Sequence, residues 1–351
     1  MKTTFVENLR VGDELDSIFL VRDKIILTTK DGRPYLTVNL VDRTGKIAAR
    51  AWDRPQEADY IKRLSESIRK NDFVRVTGLV ESFKDAILIR VDRIESIQSG
   101  EISLEDFLPR GNANPDDQIK ELFKIINRIK NPHIKKLLTA FYKDKRFIER
   151  FKKAPAAKKL HQAYLGGLLD HTLAIANMAF AVSEHYPEIN RDLLVCGAIL
   201  HDIGKIEELD YERTFDYTDR GRLLGHIVIG TMMIREKMDD LPDFPRETRD
   251  MILHLILSHH GSLANGSPVL PAVPEAVILH ALDNMDATVW GFITEQVKSR
   301  EVEGSWTRFS KVYERFIYKG DTFFGLEEEE TGLKRKSLDK LIYGLFDDEE
   351  R

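Results

Sequence analysis

The chain has 351 residues, 42% of them hydrophobic, and a formal net charge of -5. That length implies two or three domains rather than one small core, and no stretch has the unbroken apolar length of a membrane span, which excludes a helical membrane protein. Its one cysteine, Cys196, lies in an apolar run, which excludes an internal disulfide, fits a reducing compartment and leaves the thiol a packing role.

Residues 1–8 lack the apolar core and small-residue cleavage site of a signal peptide, so a soluble, cytoplasmic protein is expected. Alternating apolar runs follow at 17–27, 35–41, 46–52, 73–80 and 86–91, with Asp31-Gly32 and Thr44-Gly45 as turn signals. In the second run Leu36, Val38 and Leu40 share one face while Tyr35, Thr37 and Asn39 share the other, the pattern of a half-buried strand. A helix-compatible interruption at 56–70 yields three strands, a helix and two strands, so residues 1–105 are expected to form an all-β OB-fold barrel. Such barrels hold single strands on aromatic and basic side chains, for which Arg33, Tyr35, Arg50, Trp52, Phe83 and Lys84 are the candidates. Trp52 and Phe83 fit the barrel core equally well. Residues 1–100 hold 18 Lys and Arg against 16 Asp and Glu, so a binding surface must come from arrangement rather than excess charge.

Two prolines, a glycine and two asparagines within 107–115 mark a domain linker. Helical spacing begins at Asp116, with Ile119, Leu122, Phe123, Ile126 and Ile129 at three- and four-residue steps. Between Lys143 and Lys159 stand eight basic residues against two acidic ones, readable as a solvated helix face or a polyanion track. Residues 106–160 are therefore assigned as linker and basic helices.

An all-α domain is expected over 161–320, where five polar insertions punctuate apolar helices. They are Asp170-His171, His201-Asp202-Ile203-Gly204-Lys205 after the apolar run 193–200, Gly225-His226, Ser258-His259-His260-Gly261, and Leu282-Asp283-Asn284-Met285-Asp286. An imidazole beside a carboxylate at the end of a buried helix is costly unless compensated, and a divalent metal is the strongest compensation. Taken singly, His201-Asp202 also fits a plain helix terminus, and His171 a packed core histidine.

The ordered set resembles the HD-domain phosphohydrolase superfamily. That resemblance implies one divalent metal on His171, His201, Asp202 and Asp283, and a second on His226 and His259 with His260 adjacent. Asp202 is the natural bridge, because one carboxylate can offer an oxygen to each of two cations, which together activate water and clamp phosphodiester oxygens. The resemblance also places Lys205 near the substrate phosphate; the alternative is a surface lysine. Mixed imidazole and carboxylate donors suit Mn, Fe, Ni, Co or Zn better than Ca without choosing among them; Mn²⁺ is the expected ion, with Fe, Ni, Co, Zn or Mg as alternatives. His254 and His280 read as supporting or packing residues, and Asp286 as able to orient a ligand histidine. His161, with Lys158 and Lys159, faces phosphate or solvent; the resemblance makes Arg308, Lys311 and Arg315 further candidates for substrate contact. His133 and His185 read as surface residues, and residues 321–351 as an acidic tail.

An OB-fold joined to an HD domain with the extra histidines resembles the YhaM-like 3′-to-5′ exoribonucleases. The resemblance spans nearly the whole chain, from Gly-Gly-Leu-Leu-Asp-His-Thr through His-Asp-Ile-Gly-Lys, Ser-His-His-Gly and His-Ala-Leu-Asp-Asn-Met-Asp-Ala to the final Tyr-Lys-Gly. It implies metal-dependent removal of nucleotides from the 3′ end of single-stranded RNA, with ssDNA as a further substrate. Two other readings stand beside it. One is a hydrolase of cyclic or small nucleotides whose barrel serves a homo-oligomer; the other is a nucleic-acid adaptor with a regulatory metal site.

Overall fold

The computed structural model describes residues 2, 4–84, 86–97, 102–111, 113–158, 162–212 and 215–320; Lys159, His161 and the acidic segment 321–351 lie outside the described residues. The main boundary between its two compact units falls between Pro109 and Arg110.

In the first unit, β1 (Glu14–Thr28), β2 (Pro34–Asp42), β3 (Gly45–Trp52), β4 (Phe73–Phe83) and β5 (Ala86–Ile97) close a barrel in the order β1-β2-β3-β5-β4. Strand β1 pairs with β4 through its first half and with β2 through its second, with an irregularity between Val21 and Asp23. Parallel pairing of β3 with β5, from Ala48 opposite Leu88 to Arg50 opposite Arg90, closes the ring. Strict alternation fills it: Leu36, Val38 and Leu40 of β2 and Ile47, Ala49 and Ala51 of β3 point inward with Phe19, Val74, Val76 and Ile89. Each of the larger side chains contributes about 1.5–3 kcal/mol by leaving water. Helix α1 (Tyr60–Ser67) adds Ile61 and Leu64 to this core. At the β4 irregularity a Cβ on Gly78 would stand 2.0 Å from the Arg90 carbonyl oxygen, so only glycine fits.

The barrel is the expected OB-fold, with β1 and β5 longer than their apolar runs. The added ends carry charged residues on the outer face. Leu15 and Ile94 turn into the core from these ends, and on the outer face Arg75 donates to Asp16 at 2.7 Å across the β1–β4 pair, so single apolar residues between charged ones suffice to extend the strands.

The second unit is built of α2 (Pro115–Arg128), α3 (Pro132–Tyr142), α4 (Lys145–Phe151), α5 (Gly167–His185), α6 (Arg191–Leu200), α7 (Lys205–Glu208), α8 (Asp219–Asp239), α9 (Arg246–Ser258) and α10 (Pro274–Lys298). A two-stranded ribbon, β6 (Leu209–Asp210) with β7 (Asp216–Tyr217), precedes α8. Asn114, Asn131, Asp144 and Asn190 start α2, α3, α4 and α6 by accepting first-turn backbone N–H groups, and Pro115 and Pro132 stand where a missing N–H costs nothing. Helix α2 packs on α5, and α3 on α6 and α8, so the basic helices are part of this unit's architecture. All eight residues of 193–200 are buried, Cys196 among them, because α6 packs against α3, α5, α9 and α10. Among the described residues, no helix is long and apolar enough to cross a membrane.

Candidate metal centre

The end of α6 is where the buried centre of the helical unit turns polar. His201 still donates its backbone N–H to the Gly197 carbonyl, and Asp202 begins the turn into α7. A Cβ on Gly204 would lie 2.0 Å from the His226 carbonyl oxygen and 2.7 Å from the Gly230 nitrogen, so the glycine of His-Asp-Ile-Gly-Lys allows this turn to press against α8. His171 comes from the first two turns of α5, His259 and His260 from the end of α9, and Asp283 from α10.

Two groups of ligand-capable atoms result: His171, His201, Asp202 and Asp283, and His226, His259 and His260. In the first, His171 Nε2 lies 3.1 Å from His201 Nε2 and 3.2 Å from Asp283 Oδ1, while Asp202 Oδ2 lies 3.4 Å from His201 Nε2. The other Asp202 oxygen faces the second group, with Oδ1 3.4 Å from His226 Nε2 and 3.7 Å from His259 Nε2. Asp202 Oδ1, His226 Nε2 and His259 Nε2 are buried and without a hydrogen-bond partner. Buried polar atoms are rarely left so. Three orphaned atoms converging, all of metal-ligating type, fit a cation.

The outer ring nitrogens are each tied down. His201 Nδ1 donates to the Ala198 carbonyl at 3.0 Å, His259 Nδ1 to Ile256 at 2.6 Å, and His260 Nδ1 to Asn265 at 2.8 Å. His171 Nδ1 pairs with Asp286 Oδ2 at 2.8 Å, and His226 Nδ1 with Glu208 Oε1 at 3.1 Å. Such partners put the proton outside and the lone pair inside.

Electrostatics agree with cation binding. Burial opposes ionisation of Asp202, but Lys205, His201 and His226 outweigh it and hold the carboxyl well below its ordinary range. Burial likewise works against Asp283, and hydrogen bonds from His171 and His201 overcome it. Burial is also overcome at His201, where Asp202 and Asp283 push the imidazole up to about 10. Burial and the neighbouring His201 drive His259 down, leaving a neutral imidazole with a lone pair to give. The carboxylates thus draw positive charge to this spot, and a divalent cation would displace the protons. Lys205 Nζ, almost wholly buried, reaches Asp202 Oδ2 at 2.5 Å, which removes the surface-lysine alternative.

Other expected residues sort themselves around this centre. His280 Nδ1 donates to the His259 carbonyl at 2.9 Å and its ring packs on Gly261, so it supports the α9 end. His254 Nε2 accepts the Ala272 backbone N–H, away from the two groups. Lys158 pairs with Asp216 at 2.6 Å, and Arg308 leaves its guanidinium exposed. The basic run is partly consumed internally: Arg150 donates to the Ile206 carbonyl at 2.7 Å and faces Glu207, and Lys152 pairs with Asp116 at 2.7 Å. Lys143, Lys145, Arg146 and Lys153 are exposed, with no ion pair among the described residues.

On the barrel, Tyr35 and Trp52 are directly opposite on β2 and β3, their ring centroids 4.9 Å apart. The Arg50 guanidinium sits 4.6 Å from the Phe83 ring centroid, and Lys84 Nζ lies 5.7 Å from the same ring. Trp52 is 43% and Phe83 48% exposed, so neither belongs to the core. Arg33 is exposed in the turn leading into β2. Thr37 Oγ1 and Arg50 Nε, on opposed residues of this face, are buried atoms without partners.

Sequence reasoning missed Glu208 and Gln162. Gln162 Nε2 donates to Asp286 Oδ2 at 3.2 Å, joining the support of His171. A glutamate three residues after Lys205 was the available signal for Glu208. Nothing in the sequence separates it from the adjacent Glu207, which turns outward toward Arg150 and Arg220.

Residues 168–288 match the HD domain family, and residues 20–97 match an OB-fold nucleic acid binding domain. With the two groups of histidine and aspartate, the HD match implies that divalent metal is bound. The 3′-5′ exoribonuclease YhaM of Bacillus velezensis is 32% identical over 311 residues, covering 88% of this chain and 96% of that relative. The YhaM of Bacillus subtilis is 34% identical over 278 residues, covering 79% and 86%. Shared at this level across both units, these features mean that the chain belongs to the YhaM 3′-5′ exoribonuclease family.

Proposed function

We propose that this protein is a 3′-to-5′ exoribonuclease that hydrolyses the terminal phosphodiester of single-stranded RNA with two divalent ions, and that ssDNA is also accepted. The observation that carries the two-ion reading is the split of Asp202, whose oxygens face different histidine groups at 3.4 Å each. His171, His201, Asp202 and Asp283 would hold one ion, and Asp202, His226, His259 and His260 the other. The ion proposed is Mn²⁺, and the mixed imidazole and carboxylate donors admit Fe, Ni, Co, Zn or Mg in its place. When bound, the ions supply Lewis acidity that makes water nucleophilic at neutral pH and offsets charge on the phosphate oxygens.

The chain's own groups do the rest. Lys205, charged and held beside Asp202, supplies a cation for the phosphate as negative charge builds in the transition state. Burial of the helix ends places these charged groups in low-dielectric surroundings, where their fields act more strongly than in water. Tyr35, Trp52 and Phe83 offer exposed ring faces on which bases stack whatever their sequence, and Arg50, Lys84 and Arg33 add positive charge beside them. A chain-shaped substrate uses such a surface; a mononucleotide has no need of it.

The test is a digest of 3′- and 5′-labelled single-stranded RNA with Mn²⁺. Mononucleotide released at once from the 3′ label, with the 5′ label shortening step by step, is the expected result. Equal turnover of small or cyclic nucleotides after removal of the barrel face would turn the assignment to a small-nucleotide hydrolase.

A further inference from the structure

Helix α8 is broken at Gly225, whose φ of 70° and ψ of 156° are not helical. A break of this kind starts a new helical segment and leaves its first backbone N–H groups without carbonyl partners. His226 is the first residue after it. Glu208 answers that need: its Oε1 accepts the His226 backbone N–H at 2.9 Å and lies 3.1 Å from His226 Nδ1. One oxygen thus fixes both the backbone and the ring of one residue, and the proton it draws to Nδ1 leaves the Nε2 lone pair facing Asp202 Oδ1.

We propose that Glu208 is the positioning residue that assembles the second ion's half of the site through His226, an inference that rests on the two-ion reading above. His201, His259 and His260 are aimed by backbone carbonyls, which arrive with the fold. His171 and His226 are aimed by carboxylates, Asp286 and Glu208 respectively, so each half-site contains one histidine whose ring is oriented by an acidic side chain. Asp202, Lys205 and Glu208 follow at three-residue steps, so one seven-residue stretch of chain supplies the bridging carboxylate, the phosphate cation and the support of His226. Glu208 is 8% exposed and its own backbone is locked: its carbonyl accepts the Thr218 N–H at 2.9 Å, and a Cβ on Gly221 would come within 2.2 Å of that oxygen.

The experiment counts Mn²⁺ on metal-free full-length protein by equilibrium dialysis, and follows the Mn²⁺ resonance signal for the change from a coupled pair to a single ion. Wild type is expected to take two ions per chain. Glu208→Ala should keep the first and bind the second about 10–100-fold more weakly, with Glu208→Gln between the two and His226→Ala losing the same ion. The melting temperature of metal-free Glu208→Gln should stay near wild type, because the amide oxygen can still accept the His226 N–H. Two ions on wild type and an unweakened second ion in both Glu208 variants would overturn this proposal alone. One ion on wild type would overturn the two-ion reading, and this with it. Loss of both ions with a lowered metal-free melting temperature in both variants would make Glu208 a fold-stabilising residue, and the proposal wrong.

Discussion

The metal centre and the barrel face handle chemically useful groups in opposite ways. At the centre, His171, His201 and His259 are fully buried, their outer nitrogens are fixed, and the polar atoms left without partners point at one another. On the barrel, Trp52 and Phe83 are each close to half exposed, with Tyr35 against Trp52 and with Arg50 and Lys84 over Phe83. Hydrolysis needs charge fixed in place before substrate arrives, so rigidity is worth the cost of burial. Holding a strand of any sequence needs flat apolar surfaces that bases can stack upon and leave.

The sharpest way to break that comparison is Asp202→Ala. One carboxylate faces both histidine groups, so its loss should release the bound metal and remove several kcal/mol of transition-state stabilisation. At about 1.4 kcal/mol per factor of ten, single-turnover hydrolysis should fall about a thousandfold or more. RNA binding measured by fluorescence anisotropy should change little. Equal loss of binding and hydrolysis would show that strand holding depends on the centre after all.

Lys205→Ala asks how the centre itself divides its work. Removing one preorganised cation from the developing charge costs roughly a hundredfold in kcat. Bound metal, counted by elemental analysis, should stay nearly unchanged. Loss of metal from this variant would place Lys205 among the groups that keep Asp202 ionised, rather than those that meet phosphate.

The same contrast explains what was legible beforehand. The ligands stood out because each is a polar residue interrupting an apolar helix: His201-Asp202 follows eight buried residues, and His171 sits inside a helix buried on most sides. Glu208 did not stand out, since only the three-dimensional break at Gly225 gives it a backbone N–H to satisfy. The basic run misled in part because pairing across helices is invisible along the chain; Lys152 meets Asp116 from α2, and Arg150 meets the end of α7. The exposure of Trp52 was open to reading, because it continues the outward series Lys46, Ala48, Arg50 while Ile47, Ala49 and Ala51 turn in. Phe83 lies beyond Val80, the last buried residue of β4, where alternation no longer has a core to report.

Trp52→Ala and Phe83→Ala sharpen the other side of the comparison. Stacking contributes about 1–3 kcal/mol per base, so each change should weaken single-stranded RNA binding by about tenfold or somewhat more. Because the rings act on holding rather than on the bond broken, the loss should enter KM and leave kcat near wild type. A drop in kcat with unchanged KM would mean that the aromatic face positions the strand for cleavage.

The smallest effect concerns the basic helix. Lys145 and Arg146 are exposed and without an ion pair among the described residues, whereas Arg150 is tied to the Ile206 carbonyl and Glu207. Each phosphate contact on a single strand contributes about 0.7 to the slope of log affinity against log salt. Lys145→Gln and Arg146→Gln should each lower that slope by about this amount, with little change in melting temperature. Arg150→Gln should do the reverse, leaving the slope alone and loosening the α7 turn whose carbonyl it holds. If all three variants leave the slope unchanged, the whole run is a solvated helix face, and strand binding belongs to the barrel alone.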